Sequence, residues 1–285
     1  MNKKTKAILL ILSSAFCFAL MNTFVRLSGD IPSVQKSFFR NLVAFFFALI
    51  VLIRSGEPIR ISKRNLPFYL IRSGMGTLGI LCNFYAVDHL LLSDASMLNK
   101  LSPFFSILFS FLFLKERVKP VQVLGILAAF GGALLIIKPG FSADAFPALI
   151  GMLGGFSAGA AYTAVRYLGQ RGEHGPVIVL FFSGFSCLAV LPALLLGYAP
   201  MSGYQLAMLL LAGLAAAGGQ FSITAAYSNA PAREISVYDY TQVIFAALLG
   251  FFFFQQIPDL WSVLGYGIIC GVSVLMFLYN RRAEA

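Results

Sequence analysis

Ten apolar stretches, each close to the length a helix needs to cross a bilayer, leave this chain few residues for building anything else. A span takes about 20 mostly apolar residues to cover about 30 Å of hydrocarbon. Between charged or Gly/Pro-rich breaks, such stretches run approximately over 7–28, 33–53, 66–87, 93–114, 120–137, 146–168, 176–197, 204–228, 234–254 and 260–279. The connections are a few residues long, apart from the basic RSGEPIRISKRN after the second stretch. Only 11% of the residues are charged, against about a quarter in a soluble domain, so composition gives the same answer. The expected fold is an all-α membrane protein of ten transmembrane helices.

Where the charges fall orients the bundle. Short cytoplasmic loops collect Lys and Arg. With the N-terminus inside, the inner side holds Lys3, Lys4, Lys6, Arg54, Arg60, Lys63, Arg64, Lys115, Arg117, Lys119, Arg166, Arg171, Arg233, Arg281 and Arg282, and the outer loops hold only Lys138. An even number of spans with both termini in the cytoplasm, in the cell (inner) membrane, satisfies this split. It also absorbs most of the net charge of +10, so membrane lipids are the expected surroundings and a nucleic-acid partner is not expected. The start KKTKAILLILSS has the make-up of a signal peptide. It runs on through AFCFALMNTFV with no evident cleavage site, which makes it the first span.

The chain repeats itself. Residues 93–125, SDASMLNKLSPFFSILFSFLFLKERVKPVQVLG, lay over residues 233–265, REISVYDYTQVIFAALLGFFFFQQIPDLWSVLG, each passing from a polar helix start through a Phe-rich stretch to a polar turn and a helix opening on VLG. Two units are expected, 1–140 and 141–285, of five spans each. Five is odd, so the second must lie upside down relative to the first, an arrangement that places substrate near the midplane where the halves meet.

FYAVDHLLLSDASMLNKLSPFFSILFSFLFLKER, with its Leu-Ser-Pro and with Glu116 closing the fourth span, and YDYTQVIFAALLGFFFFQQIPDLWSVLGYGIIC in the second half resemble the drug/metabolite transporter superfamily, in its ten-helix branch with two EamA-type repeats. The resemblance covers roughly residues 7–279. It implies a solute carrier, and its members carry amino acids, nucleotide-related metabolites, sugar phosphates and drugs, so it leaves the cargo open. Gln255 and Gln256 stand where the family often has an acidic residue, and Thr241, Gln242 and Val243 where a proline might be expected.

Five cations fall inside spans: Arg26, Lys36, Arg40, Arg72 and Lys100. At a helix centre a charge costs about 2.5–3.5 kcal/mol on insertion scales, and near an end it escapes by reaching for the interface. Arg26 and Lys36 lie near outer ends and are expected to snorkel. Arg72, six residues into the third span, fits snorkelling and inward pairing equally. Arg40 and Lys100 are seven residues in, roughly 10 Å deep. They suggest a basic vestibule, with anchoring by helix carbonyls or a nearby Asn as the alternative. Asp239, opposite Asn99 in the repeat, is five residues into the ninth span. Depth counting leaves roughly 12 Å between the levels of Lys100 and Asp239, so they are expected to bracket a ligand and not to touch. Asp239 is also the candidate for coupling cargo to protons, with pairing to Arg233 or Arg72 as the alternative.

The expected substrate-binding set is Asn22, Arg40, Asn83, Tyr85, Asn99, Lys100, Tyr162, Tyr238, Asp239 and Gln242. Buried amides need partners, and the tyrosines offer rings for stacking or for packing. Pro103 is expected to kink the fourth helix. The excess of cations points to a small-molecule cargo with a carboxylate or phosphate, and Asp239 makes an amino-acid-like zwitterion the best fit.

Other chemistry finds little support. SGMGTLG has dinucleotide-loop spacing but lies inside a span, where small residues for close helix contact explain it better. The same account fits GGFSAGAAY, AAAGG and GYGIICG. His89 and His174 are far apart, the four cysteines sit in four different spans, and no grouping has metal-ligand spacing. Asp30, Asp88, Asp94, Asp144 and Asp259 read as caps and turns. No catalysis, metal or cofactor is expected. A flippase for lipid or lipid-linked precursors, and a nontransporting membrane enzyme or sensor subunit, are the other readings.

Overall fold

A computed structural model describes residues 3–56, 61–114, 120–137, 145–229 and 236–283. All regular structure among these residues is helical. The elements are α1 (Lys3–Leu27), α2 (Ser33–Ser55), α3 (Leu66–His89), α4 (Leu92–Asn99), α5 (Ser102–Leu114), α6 (Pro120–Ile137), α7 (Ala145–Gln170), α8 (Gly175–Leu196), α9 (Gly203–Asn229), a 3-10 turn at Ser236–Tyr240, α10 (Thr241–Phe254) and α11 (Leu260–Ala283). Seven helices, α1, α2, α3, α7, α8, α9 and α11, are each long and apolar enough to cross a membrane. With α6, the broken pair α4/α5 and the turn leading into α10, they make the ten crossings of the two inverted halves.

The inverted symmetry is visible in what packs on what. Helix α1 lies on α9 and α3 on α7, contacts that the repeat interchanges, while α2 on α8 and α6 on α11 map onto themselves. The fourth span rests on α7, and its counterpart, the ninth, rests on α1.

Both of these supporting contacts matter, because the fourth and ninth spans are the two that break. Lys100 leaves the α conformation between α4 and α5. The expected kink is therefore a break: Pro103 takes the second position of α5, where its missing N–H costs nothing. The ninth span has no proline and changes winding instead, from 3-10 to α at Thr241.

Small residues on α7 hold the broken span close. A Cβ on Gly155 would lie 2.5 Å from the Leu98 carbonyl oxygen, and one on Gly159 would lie 2.8 Å from that of Ser102, so the two glycines clasp the break from either side. Close packing does not explain every glycine in those runs, since Gly74, Gly267 and Gly271 face open space.

The halves are tied at both faces of the bundle. On one, Gln35 donates to the Ala199 carbonyl (2.9 Å) and accepts from its N–H (3.0 Å), and Gln205 donates to the Ser28 carbonyl. On the face that carries the chain termini, Asn65 and Tyr69 donate to the two oxygens of Glu173, at 2.5 and 2.8 Å, and Arg171 donates to Asn65. Half-burial works to raise the Glu173 carboxyl, but the Asn65 and Tyr69 donors, the Ser62 backbone and nearby His174 together outweigh it and hold the group below its ordinary value.

Gly159→Val is expected to lower stability by about 1–3 kcal/mol through overpacking, and Gly74→Ala to leave it unchanged, as thermal unfolding of the purified protein in detergent would report. Glu173→Gln is expected to lower the melting temperature at pH 7. A carboxyl held below its unfolded value of 4.5 stabilises the fold above that pH, and the contribution disappears as pH falls through the lowered value. The gap between wild type and variant should therefore close as pH falls below the ordinary glutamate range.

Candidate functional site

The two breaks meet in the middle of the bundle. The Nζ of Lys100 contacts Oδ2 of Asp239 at 2.5 Å, and Tyr240 donates from its hydroxyl to the Lys100 carbonyl at 3.3 Å, tying one interrupted span to the other. The expectation that Lys100 and Asp239 stay apart is thus corrected. Depth counting assumed unbroken α-helices at 1.5 Å per residue. A 3-10 turn rises about 2 Å per residue, and a lysine stem bridges several ångströms more. Among the described residues, Asp239 pairs with Lys100 and not with Arg72, while Arg233 lies outside the described residues.

Around this pair is a polar cavity of about 130 Å³. Of the expected residues it brings together Asn22, Arg40, Asn83, Asn99, Lys100, Tyr162, Asp239 and Gln242. Three helices are linked at its wall: Asn83 on α3 donates to Asn22 on α1 (3.2 Å), which donates to Ser96 on α4 (3.4 Å). Arg40 is buried and donates to Asn41 Oδ1 at 2.7 Å; Asn41 in turn donates to Ser37 and Ser186. Anchoring by a neighbouring Asn and a place in the cavity wall therefore both hold for Arg40. Tyr162 is about half exposed in the wall.

Two expected residues are elsewhere. Tyr85 stacks on His89 with ring centroids 4.1 Å apart and lines a separate cavity between the ends of α1 and α3. Tyr238 is partly exposed outside the central cavity, its carbonyl accepting from Thr241. Glu116 lies outside the described residues.

Arg72 and Gln220 line the cavity although neither was in the expected set. The sequence does carry a signal for Arg72: it stands eleven residues before Asn83, three helical turns, so both share one face of α3 with Gly76 and Ile80. Depth alone says nothing about facing.

The cations near the outer ends are not snorkelling. Lys36 is fully buried and paired with Asp88 at 2.6 Å, so Asp88 is a partly buried counter-ion in the last turn of α3 and not a cap. Arg26 donates to the carbonyls of Val87 and Leu90 and sits over the Phe254 ring. Partners within reach at the end of α3 hold both side chains in the protein. Asp94 accepts from the Tyr266 hydroxyl at 2.5 Å and joins α4 to α11.

Two inverted halves enclosing a charged cavity, with one span of each broken beside it, define a membrane transporter. A solved crystal structure of a protein aligns over 99% of both chains with a TM-score of 0.68 at 16% identity, a likeness of fold alone. The chain belongs to the EamA-like transporter family, whose model matches residues 5–138 and again 145–278. It is 32% identical over 278 residues to a pseudopaline exporter of Pseudomonas aeruginosa, covering 96% of each chain. It is 28% identical to a riboflavin transporter of Rhizobium johnstonii, covering 95% of this chain and 90% of the relative. The family and these relatives are transporters and not enzymes, and the chain is a multi-pass membrane protein.

Lys100→Ala is expected to destabilise the protein more than Lys100→Ala combined with Asp239→Ala. Removing one member strands a withdrawn charge, for which buried pairs show losses of about 3–5 kcal/mol, whereas removing both does not. A double-mutant cycle on melting temperature checks this.

Proposed function

We propose that the protein is a secondary transporter of the cell (inner) membrane that moves a small polar metabolite bearing a carboxylate or phosphate by alternating access. The observation that carries this reading is the charge of the cavity wall. Among its described residues Arg40, Arg72 and Lys100 face a single carboxylate, Asp239, which is already paired with Lys100. An anionic cargo balances that excess. The second oxygen of Asp239 is buried without a partner and suits an amino group, which favours an amino-acid-like solute.

The units 1–140 and 141–285 act as the two halves that rock about the cavity, with both termini in the cytoplasm. Lys100 and Asp239 join the fourth span of one half to the ninth span of the other, so whatever breaks that pair loosens the junction. A proton on Asp239 would remove the charge that holds Lys100, and an anionic group of the cargo would compete for Lys100. Asp239 is therefore the proposed coupling residue. Outward transport is the proposed direction, in line with the relatives named pseudopaline exporters.

The test is transport in proteoliposomes of a labelled pool of amino acids, organic acids and phosphate esters, with and without a pH gradient. Wild type should accumulate a member of the pool only with the gradient, and Asp239→Asn should retain exchange while losing accumulation. Accumulation unchanged in Asp239→Asn would overturn the coupling. Failure to move any member, with movement of a fluorescent lipid instead, would overturn the solute reading.

A further inference from the structure

Arg40 and Arg72 are built differently from the other intramembrane cations. Lys36 has Asp88, Lys100 has Asp239, and Arg26 has two carbonyls. The two arginines are more than 90% buried, and no carboxylate among the described residues lies within ion-pair distance of either. The Nε of each is buried without a hydrogen-bond partner. Leaving two such donors dry is expensive unless something else fills the site.

Their surroundings are shaped to present these groups. The Arg72 guanidinium lies over the Phe182 ring, 4.1 Å from its centroid. Beside both is Gly76, where a Cβ would come within 2.2 Å of an Arg72 terminal nitrogen and 2.8 Å of the Phe182 ring, so only glycine leaves the slot open. Arg40 is fixed by Asn41 through one terminal nitrogen, which leaves its Nε edge free. Beyond the central cavity both arginines also border a crevice of about 20 Å³ walled by Ser183 and Gln220, and the Ser183 hydroxyl is likewise buried without a partner. Donors from α2, α3 and α8 thus gather around this crevice, whose lining includes neither Lys100 nor Asp239.

We propose that Arg40 and Arg72, assisted by Ser183, form a subsite for a doubly charged oxyanion group of the cargo, either two carboxylates or a phosphate monoester. With Lys100 and Asp239 balancing each other, the wall retains two positive charges, both at this subsite. A neutral zwitterion leaves them largely uncompensated in a medium where charge is costly, and a single carboxylate meets one of the two. Planar guanidiniums offer paired donors that match carboxylate and phosphate oxygens, which an ammonium does not. The inference rests on the central cavity being the cargo site and narrows what the cargo is.

The test is ligand-induced thermal stabilisation of the purified full chain in detergent, with succinate, glycerol 3-phosphate and glutamine as probes. At least one dianion should bind ten times more tightly than glutamine; a response to succinate alone assigns a dicarboxylate, and one to glycerol 3-phosphate alone a phosphate ester. Arg40→Gln and Arg72→Gln should each weaken the dianion by roughly ten- to a hundredfold, with Arg72→Lys in between. If either Gln variant does not fold, Gly76→Ala tests the same geometry, since it displaces the Arg72 head without removing its charge. Equal binding of glutamine and dianions, or dianion binding that ignores all these variants, overturns the subsite and leaves the transport reading intact. No response to any probe, from protein that moves the pool in proteoliposomes, also overturns the subsite alone. No response and no transport overturns both.

Discussion

The contact between Lys100 and Asp239 joins two segments that by themselves have no reason to be where they are. A helix broken in the hydrocarbon region leaves backbone groups without partners, a state tolerated only where the break is buried in protein or lines a wet cavity. Here it does both. Tyr240 takes up the Lys100 carbonyl, and α7 presents bare glycine backbone at Gly155 and Gly159 so that the break can be packed from behind. Both interrupted spans line the cavity, one with Asn99 and Lys100 and the other with Asp239 and Gln242.

Within that frame the cavity is electrostatically uneven. Lys100 and Asp239 neutralise each other, whereas Arg40 and Arg72 keep free Nε atoms and border a crevice with a free hydroxyl from Ser183. A side chain on Gly76 would close the slot in which the Arg72 head lies against Phe182. The same helix, α3, meets α7 through small residues on one side and carries Arg72 and Asn83 into the cavity on another. The faces of the bundle use a different chemistry. At one face the tie between halves is an uncharged amide, Gln35, and at the other it is a carboxylate, Glu173, held by Asn65 and Tyr69.

Much of the candidate cavity's lining is legible in the sequence because polar residues in lipid-length segments are conspicuous. Asn22, Arg40, Asn83, Asn99, Lys100, Tyr162, Asp239 and Gln242 all reach one cavity. Tyr85 and Tyr238 do not, since a tyrosine suits both an interface and a pocket and its type carries no direction. Depth alone suits Arg72 equally to snorkelling and to pairing, whereas its helical phase with Asn83 points it inward. Lys36 and Arg26 do not snorkel, because nearness to a span end says that a side chain can escape to water, not that it must. Asp88 and the carbonyls of Val87 and Leu90 offered nearer partners.

The sequence by itself determined the number of crossings, the division into two inverted halves and the residue types of the cavity. These follow from quantities that are local along the chain: the hydrocarbon thickness a helix must cover, the alternation of direction it forces, and the cost of any polar group placed there. Only the tertiary structure decided that Lys100 meets Asp239, that Lys36 meets Asp88, and that Arg40 and Arg72 meet no carboxylate among the described residues. Those outcomes depend on lateral neighbours and on where a helix departs from 1.5 Å per residue, and neither is fixed until spans distant in sequence pack against one another.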